Sequence, residues 1–250
     1  MDLTKEAVKY LMEQGISPEK RVIKIDESGN RLAVVNSQGE AVAIEPIAYT
    51  AKESLVINTL SGFVNYVKAN IDRTDKKLII HIKDQRTVYL KGLLETDGSR
   101  ETLATAKAIV PDFSFNYFMD SEEFVINFQS KFIASQDREI LLKVMGNVVE
   151  ENVKNTGDDG ITQAVSIRQG VASRSDVKVP NPVLLQPYRT FLEVEQPASQ
   201  FIFRMKDGPR GAIFEADGGA WVNQAITNIR EYLKDQLNDE KTRSRITIIA

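Results

Sequence analysis

Hydrophobic residues are arranged most regularly between Val183 and Leu237. Three short apolar segments are separated there by Pro and Gly residues, and a longer segment with apolar residues at helical spacing follows them. Apolar segments cut by turn residues are typical of a β-meander. In its middle strand, Phe201, Phe203 and Met205 share one face, as core residues do. We therefore predict a meander that is covered by a closing helix running from about Ala220 to Leu237.

Helical spacing recurs in five segments before the meander. Asp120 and Glu123 have the form of a capping box, in which the first side chain accepts from the backbone at the start of a helix. The predicted helices are residues 4–14, the segment Phe63–Ile71 with Ser61 as its cap, Ser99–Ile109, the segment through Phe124, Phe128 and Phe132, and Asp137–Lys154.

Short β-prone segments account for much of the remaining chain. They are Arg21–Ile25, Leu32–Val35, Ala41–Ile44, Leu55–Thr59, Lys77–Lys83 with its hairpin partner Thr87–Leu94, Ala164–Gln169 and Ile246–Ile249. Together with the helices they predict an α+β fold, with a mainly antiparallel sheet, packed helices and a small N-terminal β unit. We expect the N-terminal helix and β unit in residues 1–50, the main domain in residues 51–240 and a β-prone tail in residues 241–250.

The composition narrows the classes of function. The chain has 250 residues, a net charge of −3, one histidine and no cysteine. The absence of cysteine excludes disulfides, thiol nucleophiles and thiolate metal sites in this chain. The sequence has neither the hydrophobic region of a signal peptide nor an apolar run of about 18 residues. We therefore expect a cytoplasmic protein that does not enter a membrane.

Sequence motifs that carry chemistry are few. His81 alternates within a strand and has no companion ligand, which favours a structural role. The DGGAW turn at residues 217–221 lacks the full spacing of a phosphate loop, and acidic residues precede it, which favours a helix cap with Trp221 anchored in the core. The carboxylates on the predicted strands suit either a solvated sheet face or a metal-dependent hydrolase, and these are Glu193, Glu195, Glu215 and Asp217.

Aromatic and basic residues alternate around the first meander strands. Such a mixture is used by proteins that stack bases and hold phosphates, although strand periodicity assigns the Phe rings to the core. Any function of this region is therefore expected on outward side chains. The candidate ligand-binding residues are Tyr188, Arg189, Arg204 and Glu215.

The C-terminal tail combines a basic cluster with an apolar run. Lys241, Arg243 and Arg245 form the cluster, and the run that follows them has no obvious cover. The run either pairs with the sheet or lies on a partner chain. Ile246, Ile248 and Ile249 are accordingly the candidate contacts of a homo-oligomer.

The order of these elements resembles the YfdQ-like proteins of phages and prophages. The resemblance rests on the helix within Ser54–Asp75, the strand KLIIHI, the FMDSEEFVINF helix, the turn and strand near residues 158–170, and the strands and helix from residue 183 onward. It implies a protein encoded in a phage early region, often near recombination or replication genes. The family brings no established activity, and no site residue is transferred from it.

The sequence as a whole favours a non-enzymatic binding protein. We expect a homo-oligomer, encoded by a phage or prophage, that acts on a host protein, a nucleic acid or a small signalling ligand. No catalytic residue, metal site or cofactor is expected. One alternative is a DNA-associated accessory protein of recombination or replication, and another is a metal-dependent hydrolase built on the sheet carboxylates.

Overall fold

The structure, a computed structural model, describes most of the chain. The described residues are 22–24, 32–35, 41–44, 50–72, 76–95, 98–147, 157–158, 163–169, 173–206 and 208–250. The chain divides into two compact units, one of residues 1–52 with 93–101 and one of residues 53–92 with 102–250. The helix expected over residues 4–14 lies outside the described residues.

The first unit contains the small β unit that the sequence predicts. Strands β1 (Val22–Lys24), β2 (Leu32–Val35) and β3 (Ala41–Ile44) form an antiparallel sheet in the order β1-β2-β3. Val22 pairs with Val34, and Val34 pairs with Val42. Ala33 is buried.

Five strands of the second unit form one sheet with both parallel and antiparallel pairs. They are β4 (Leu55–Ile57), β5 (Leu78–Asp84), β6 (Thr87–Lys91), β7 (Thr102–Lys107) and β15 (Ile246–Ile249). The order is β15-β5-β6-β7-β4. The inner strands β5, β6 and β7 are antiparallel neighbours, whereas β15 joins β5, and β4 joins β7, in parallel. The β-prone tail is thus a strand of this sheet.

The helix expected over Ser99–Ile109 is wrong, because this segment forms strand β7. Its alanines favour a helix intrinsically. Ala104 and Ala106 are nevertheless completely buried in the sheet, at alternating positions of the strand. Packing at a central position of a sheet overrides a weak local preference.

The remaining strands form two further sheets in the second unit. Strands β8 (Met119–Asp120), β12 (Val183–Leu185), β13 (Ser199–Lys206) and β14 (Arg210–Glu215) are antiparallel in the order β12-β13-β14-β8. Strands β9 (Gly157–Asp158), β10 (Gln163–Gln169) and β11 (Ser173–Val179) are antiparallel in the order β11-β10-β9. The predicted meander is therefore confirmed as β12-β13-β14.

Five helices of the described chain cover the sheets: α1 (Leu60–Ala69), α2 (Ser121–Lys131), α3 (Gln136–Asn147), α4 (Ala220–Gln236) and α5 (Glu240–Arg245). The side chain of Asp120 accepts a hydrogen bond from the backbone N–H of Glu123, as the capping box predicts. The cap of α1 is Thr59 and not Ser61.

Two hydrophobic cores fill the second unit. We call the first the aromatic core, which consists of Met119, Phe124, Phe128, Phe132, Leu141, Val144, Met145, Val179, Val183, Leu185, Phe201, Phe203, Met205 and Ile213. We call the second the aliphatic core, which consists of Leu60, Phe63, Val64, Val67, Leu78, Ile80, Ile82, Val88, Leu90, Ala104, Ala106, Phe191, Val194, Ile229, Leu233 and Leu237.

The closing helix does not cover the meander, contrary to the sequence prediction. Ile229 and Leu233 of α4 are buried in the aliphatic core, and α4 packs on α1, β5 and β15. The meander is covered by α2 and α3, and Gly211 of β14 marks their close approach. A Cβ atom there would lie 2.9 Å from Met145 Sδ and 3.1 Å from Phe124 Cδ2. The fold class, α+β with mostly antiparallel sheets and packed helices, is confirmed.

Candidate ligand-binding cleft

The segment between β12 and β13 joins the two cores. At its start, Pro187 forms an isolated bridge with Phe132 of the aromatic core. Further along, Phe191 and Val194 are buried in the aliphatic core. We call residues 187–196 the junction segment, because the chain passes through it from one core to the other.

Gln196 holds the junction segment in shape. Gln196 is only 3% exposed, and both the oxygen and the nitrogen of its side-chain amide form hydrogen bonds. The Oε1 atom accepts hydrogen bonds from the backbone N–H groups of Arg189 (2.9 Å) and Thr190 (3.1 Å). The Nε2 atom donates to the carbonyls of Phe191 (2.9 Å) and Val194 (3.3 Å). Buried backbone groups need hydrogen-bond partners. In the junction segment the Gln196 amide supplies the bonds that a helix or a strand would otherwise supply.

Arg189 lies at the centre of the junction segment and is only 3% exposed. Its Nη1 donates to Glu215 Oε1 at 2.9 Å, and its Nη2 donates to Ser199 Oγ. The guanidinium lies 3.8 Å from the centroid of the Trp221 ring and 5.6 Å from that of Phe201. A planar guanidinium stacks well on aromatic rings and pairs well with carboxylates, which a lysine would not do in the same way.

Burial changes the acid–base behaviour of Arg189 but not its charge at neutral pH. Removal from water lowers the pKa of Arg189 from its ordinary value to about 10, while the carboxylates of Glu215 and Asp217 oppose the fall. The nearby cation Arg86 adds to it. A pKa of about 10 leaves the guanidinium charged in the physiological range. The protein thus holds a desolvated cation, whose burial is offset only partly by its partners.

One polar atom of Arg189 has no protein partner. In the part of the chain that the structure describes, its Nε–H is the buried side-chain donor left without a hydrogen bond. An unsatisfied buried donor costs about 1–3 kcal/mol, so native proteins seldom retain one. The guanidinium of Arg189 therefore keeps hydrogen-bonding capacity that its protein partners do not use.

A cleft of about 180 Å³ opens beside Arg189. Two further cations line it, Arg86 from the β5–β6 turn and Lys131 from the last turn of α2. Arg86 Nε donates to the carbonyl of Arg189 at 3.2 Å, and Lys131 Nζ donates to the carbonyl of Asp112. The Asp112 side chain is the carboxylate in the lining. We call this the cationic cleft, since three cations face one carboxylate there.

Aromatic side chains complete the lining of the cationic cleft. Tyr188, Phe113 and Phe115 all border it, and each is partly buried. The rings of Phe113 and Phe115 meet edge to face at 4.8 Å. Phe115 stacks on Phe201 at 5.5 Å and thereby approaches the guanidinium of Arg189. The cleft therefore offers both positive charge and flat apolar surface.

The structure brings together only part of the candidate set. Tyr188 and Arg189 line the cationic cleft, and Glu215 pairs with Arg189 while its side chain remains 39% exposed. The expectation that Arg189 points outward is wrong, because the side chain is enclosed by Glu215, Ser199 and Trp221. Arg204 is half-buried on β13, where it lies opposite Ala212, and it does not line the cleft.

Sequence reasoning missed Arg86 and Lys131. Arg86 lies in the KDQR turn and Lys131 lies within the predicted helix through Phe132, so the sequence places each only in its own element. The contact from Arg86 to Arg189 spans 103 positions. No local spacing signals such a pair.

The glycine-rich turn before α4 acts as a structural turn. Asp217 Oδ1 accepts from the backbone N–H of Gly219, and Gly219 adopts a positive φ of 81°. Trp221 is partly buried and stacks on Arg189, so it does not anchor α4 in a core as expected.

Of the four carboxylates expected on strands, Glu215 lies in β14, whereas Glu193, Glu195 and Asp217 lie outside the strands. Glu193 accepts from Ser61, and Glu215 pairs with Arg189. Among the described residues, no three His, Asp or Glu side chains lie close enough together to hold a metal ion. The hydrolase alternative therefore has no supporting geometry in that part of the chain.

The tail isoleucines are used mainly within the chain. Ile246 and Ile248 pair with Leu78 and Ile80 and pack on the aliphatic core, while Ile249 is 47% exposed. Ile246 and Ile248 also line a second cleft of about 400 Å³ with Lys234 and Arg243. This cleft is larger, but its cations are exposed, and Lys234 is paired with Glu231 at 3.3 Å. The buried and incompletely bonded cation makes the cationic cleft the better candidate site.

None of the described helices has the length and the apolar character that a membrane crossing requires. Searches of protein families, of curated proteins and of solved structures find no match for this chain. The resemblance to the YfdQ-like proteins stays a prediction.

Proposed function

We propose that the protein is a non-enzymatic binding protein whose ligand is a small anion held in the cationic cleft. The observation that carries the proposal is the state of Arg189. It is a buried cation whose Nε–H has no partner among the described residues, and it lines the cleft beside Arg86 and Lys131. An anion held in the cleft would offset the cost of desolvating this cation.

The size of the cleft favours a small ligand over a polymer. A volume of about 180 Å³ encloses one compact group. The rings of Phe201 and Phe203 are fully buried, so they offer no surface on which nucleic-acid bases would stack. The geometry therefore supports binding of a small ligand better than binding of DNA. The experiments below distinguish the two.

Calorimetric titration with inorganic phosphate at low ionic strength tests the proposal. We expect saturable binding at a stoichiometry of one that is lost in the Arg189→Met and Arg86→Met variants. Arg86 is exposed, so its replacement leaves the fold intact even if Arg189→Met does not. Arg204→Met, which removes a cation outside the cleft, should bind phosphate as the wild type does. Absence of binding, or an equal loss in Arg204→Met, overturns the proposal.

Glu215→Gln gives the opposite change in the same experiment. Removing the carboxylate that pairs with Arg189 raises the positive charge beside the cleft. Phosphate should therefore bind several-fold more tightly, and the gain should shrink with added salt. A loss of phosphate affinity in this variant would contradict the role given to Arg189. Binding of single-stranded DNA with a steep salt dependence, unaffected by Arg189→Met, would favour the nucleic-acid alternative.

We also propose that the protein forms a homo-oligomer. Strand β15 lies at an edge of its sheet, and Ile249 is 47% exposed there. Edge strands pair readily with other chains. Light scattering should detect an oligomer that Ile249→Lys dissociates, and a monomeric wild type would refute this part. The resemblance to phage proteins, together with the lack of cysteine, supports the cytoplasm of a host cell as the place of action.

A further inference from the structure

The lining of the cationic cleft is divided into a charged part and a flat apolar part. Arg86, Lys131 and Arg189 supply the positive charge. Phe113 and Phe115 supply ring surface, and both rings are only partly buried by the rest of the protein. A bare inorganic ion would use the first part and leave the second in contact with water. Exposed aromatic surface beside a charged site gains free energy when a ligand covers it.

The volume of the cleft sets an upper and a lower limit on the ligand. The cleft has a volume of about 180 Å³. One phosphate or carboxylate group leaves part of this space unfilled. Drug-sized ligands occupy about 300–1,000 Å³, so a nucleotide with its sugar and base is too large to be enclosed.

The shape of the apolar part favours a ring over an aliphatic chain. The rings of Phe113 and Phe115 lie at an angle of 65° to each other, and both residues line the cleft. Aromatic rings pair favourably in both edge-to-face and offset stacked arrangements. An aliphatic chain of equal area has no ring quadrupole and therefore gains no such electrostatic attraction.

We infer that the ligand of the cationic cleft is a monocyclic aryl phosphate or aryl carboxylate, with its anionic group on Arg86, Lys131 and Arg189 and its ring on Phe113 and Phe115. The inference rests on the proposed function, since it names the class of anion that the same cleft takes. It involves binding alone, with no bond made or broken.

A panel of phosphate monoesters tests the inference by calorimetry. The probes are inorganic phosphate, phenyl phosphate, n-butyl phosphate and adenosine monophosphate. We expect phenyl phosphate to bind about tenfold more tightly than phosphate, and more tightly than the butyl ester or the nucleotide. Equal affinity for phenyl and butyl phosphate would overturn the ring requirement, and tighter binding of the nucleotide would overturn the size limit. In both cases phosphate binding, and with it the proposed function, would stand.

Variants of the two rings separate the inference from the proposed function. In Phe113→Leu and Phe115→Leu the ratio of the affinity for phenyl phosphate to the affinity for inorganic phosphate should fall several-fold. Phe118→Leu is the matched control, because Phe118 is also partly buried but packs on Phe214 outside the cleft. An unchanged preference in both ring variants, with the fold verified by circular dichroism, would refute the assignment of the ring position.

Discussion

The aromatic and aliphatic cores are assembled from the chain in different ways. The aromatic core takes its buried residues from positions between Met119 and Ile213. The buried residues of the aliphatic core begin at Leu60 and end at Leu237, directly after α4. The buried residues of the aromatic core lie between them in the sequence. The sheet of the aliphatic core is completed only by the C-terminal strand β15, which pairs with β5. Elements that are neighbours in sequence therefore need not share a core.

The two cores also differ in what fills them. Phe124, Phe128 and Phe132 stack along one side of α2, with ring centroids 4.0 Å and 4.4 Å apart. The aliphatic core is built mainly from Leu, Ile, Val and Ala. Among the described residues the two cores are similar in size, with 14 and 16 buried residues, and they differ in the type of side chain. The chain passes from the aromatic core to the aliphatic core through the junction segment, and the first residues of this segment line the cationic cleft.

The largest expected effect comes from truncating each core. Phe128 and Leu233 are both fully buried, so Phe128→Ala should lower the free energy of unfolding by about 3–5 kcal/mol and Leu233→Ala by about 2–5 kcal/mol. Both should shift the same transition, because the junction segment joins the cores. Urea unfolding followed by the fluorescence of Trp221 measures this, and Ile126→Ala on the exposed side of α2 is the control, with an expected change below about 0.5 kcal/mol. A transition that responds to only one of the two truncations would show that the cores unfold independently.

Much of the aromatic core could be predicted because its signals are local. The four-residue steps of Phe124, Phe128 and Phe132 identify a helix, and Asp120 marks its start. Alternation identifies β13. Each of these patterns is contained within one element, so a single sequence is enough to find it.

The packing of α4 and the site around Arg189 could not be predicted, because each depends on contacts between distant segments. Nothing in α4 itself distinguishes a helix that covers the preceding meander from one that returns to β5. The environment of Arg189 is formed by Arg86, Ser199 and Glu215 from separate turns and strands. A lone arginine next to a tyrosine in a proline-rich segment therefore suggested an exposed cation when the folded chain buries it.

Gln196 offers a way to weaken the connection between the cores without touching either. Gln196→Leu keeps a similar volume but removes the partners of four backbone groups in the junction segment. Each group that stays unsatisfied costs about 1–3 kcal/mol. We expect a less stable protein in which Trp221 fluorescence and far-ultraviolet circular dichroism no longer report coincident transitions.

The neighbouring amide Gln186 is the control for that change. It donates one hydrogen bond to the carbonyl of Gln196 at 3.2 Å, so Gln186→Leu should have a smaller effect and leave the transitions coincident. Coincident transitions in Gln196→Leu would show that the packing of Phe191 and Val194 is sufficient to couple the cores. Phosphate binding should also weaken in Gln196→Leu, since Arg189 loses the bond that holds its backbone.

The smallest expected effect is confined to helix α5 and strand β15, through which the C-terminal segment joins the aliphatic core. Asp239 caps α5 by accepting from the backbone N–H of Thr242 at 2.9 Å, and this bond lowers the pKa of Asp239 below its ordinary value. A lowered pKa means that the cap stabilises the fold above the ordinary value and is lost as the pH falls through the lowered one. Arg245 at the end of α5 bonds to Val67 and Asn70 of the α1 region, so loosening of α5 should reach β15.

An acid titration followed by the amide resonances of Thr242 and of residues 246–249 tests this difference between the cores. The resonances should shift together below the ordinary pKa of an aspartate, while those of Phe124 and Phe128 in the aromatic core should not follow the same midpoint. Asp239→Asn keeps an N-cap acceptor but cannot titrate, so its tail resonances should lack the transition. A transition that persists unchanged in Asp239→Asn would mean that another carboxylate controls the tail. Strand β15 would then be stabilised by the packing of Ile246 and Ile248 on the aliphatic core and not by helix α5.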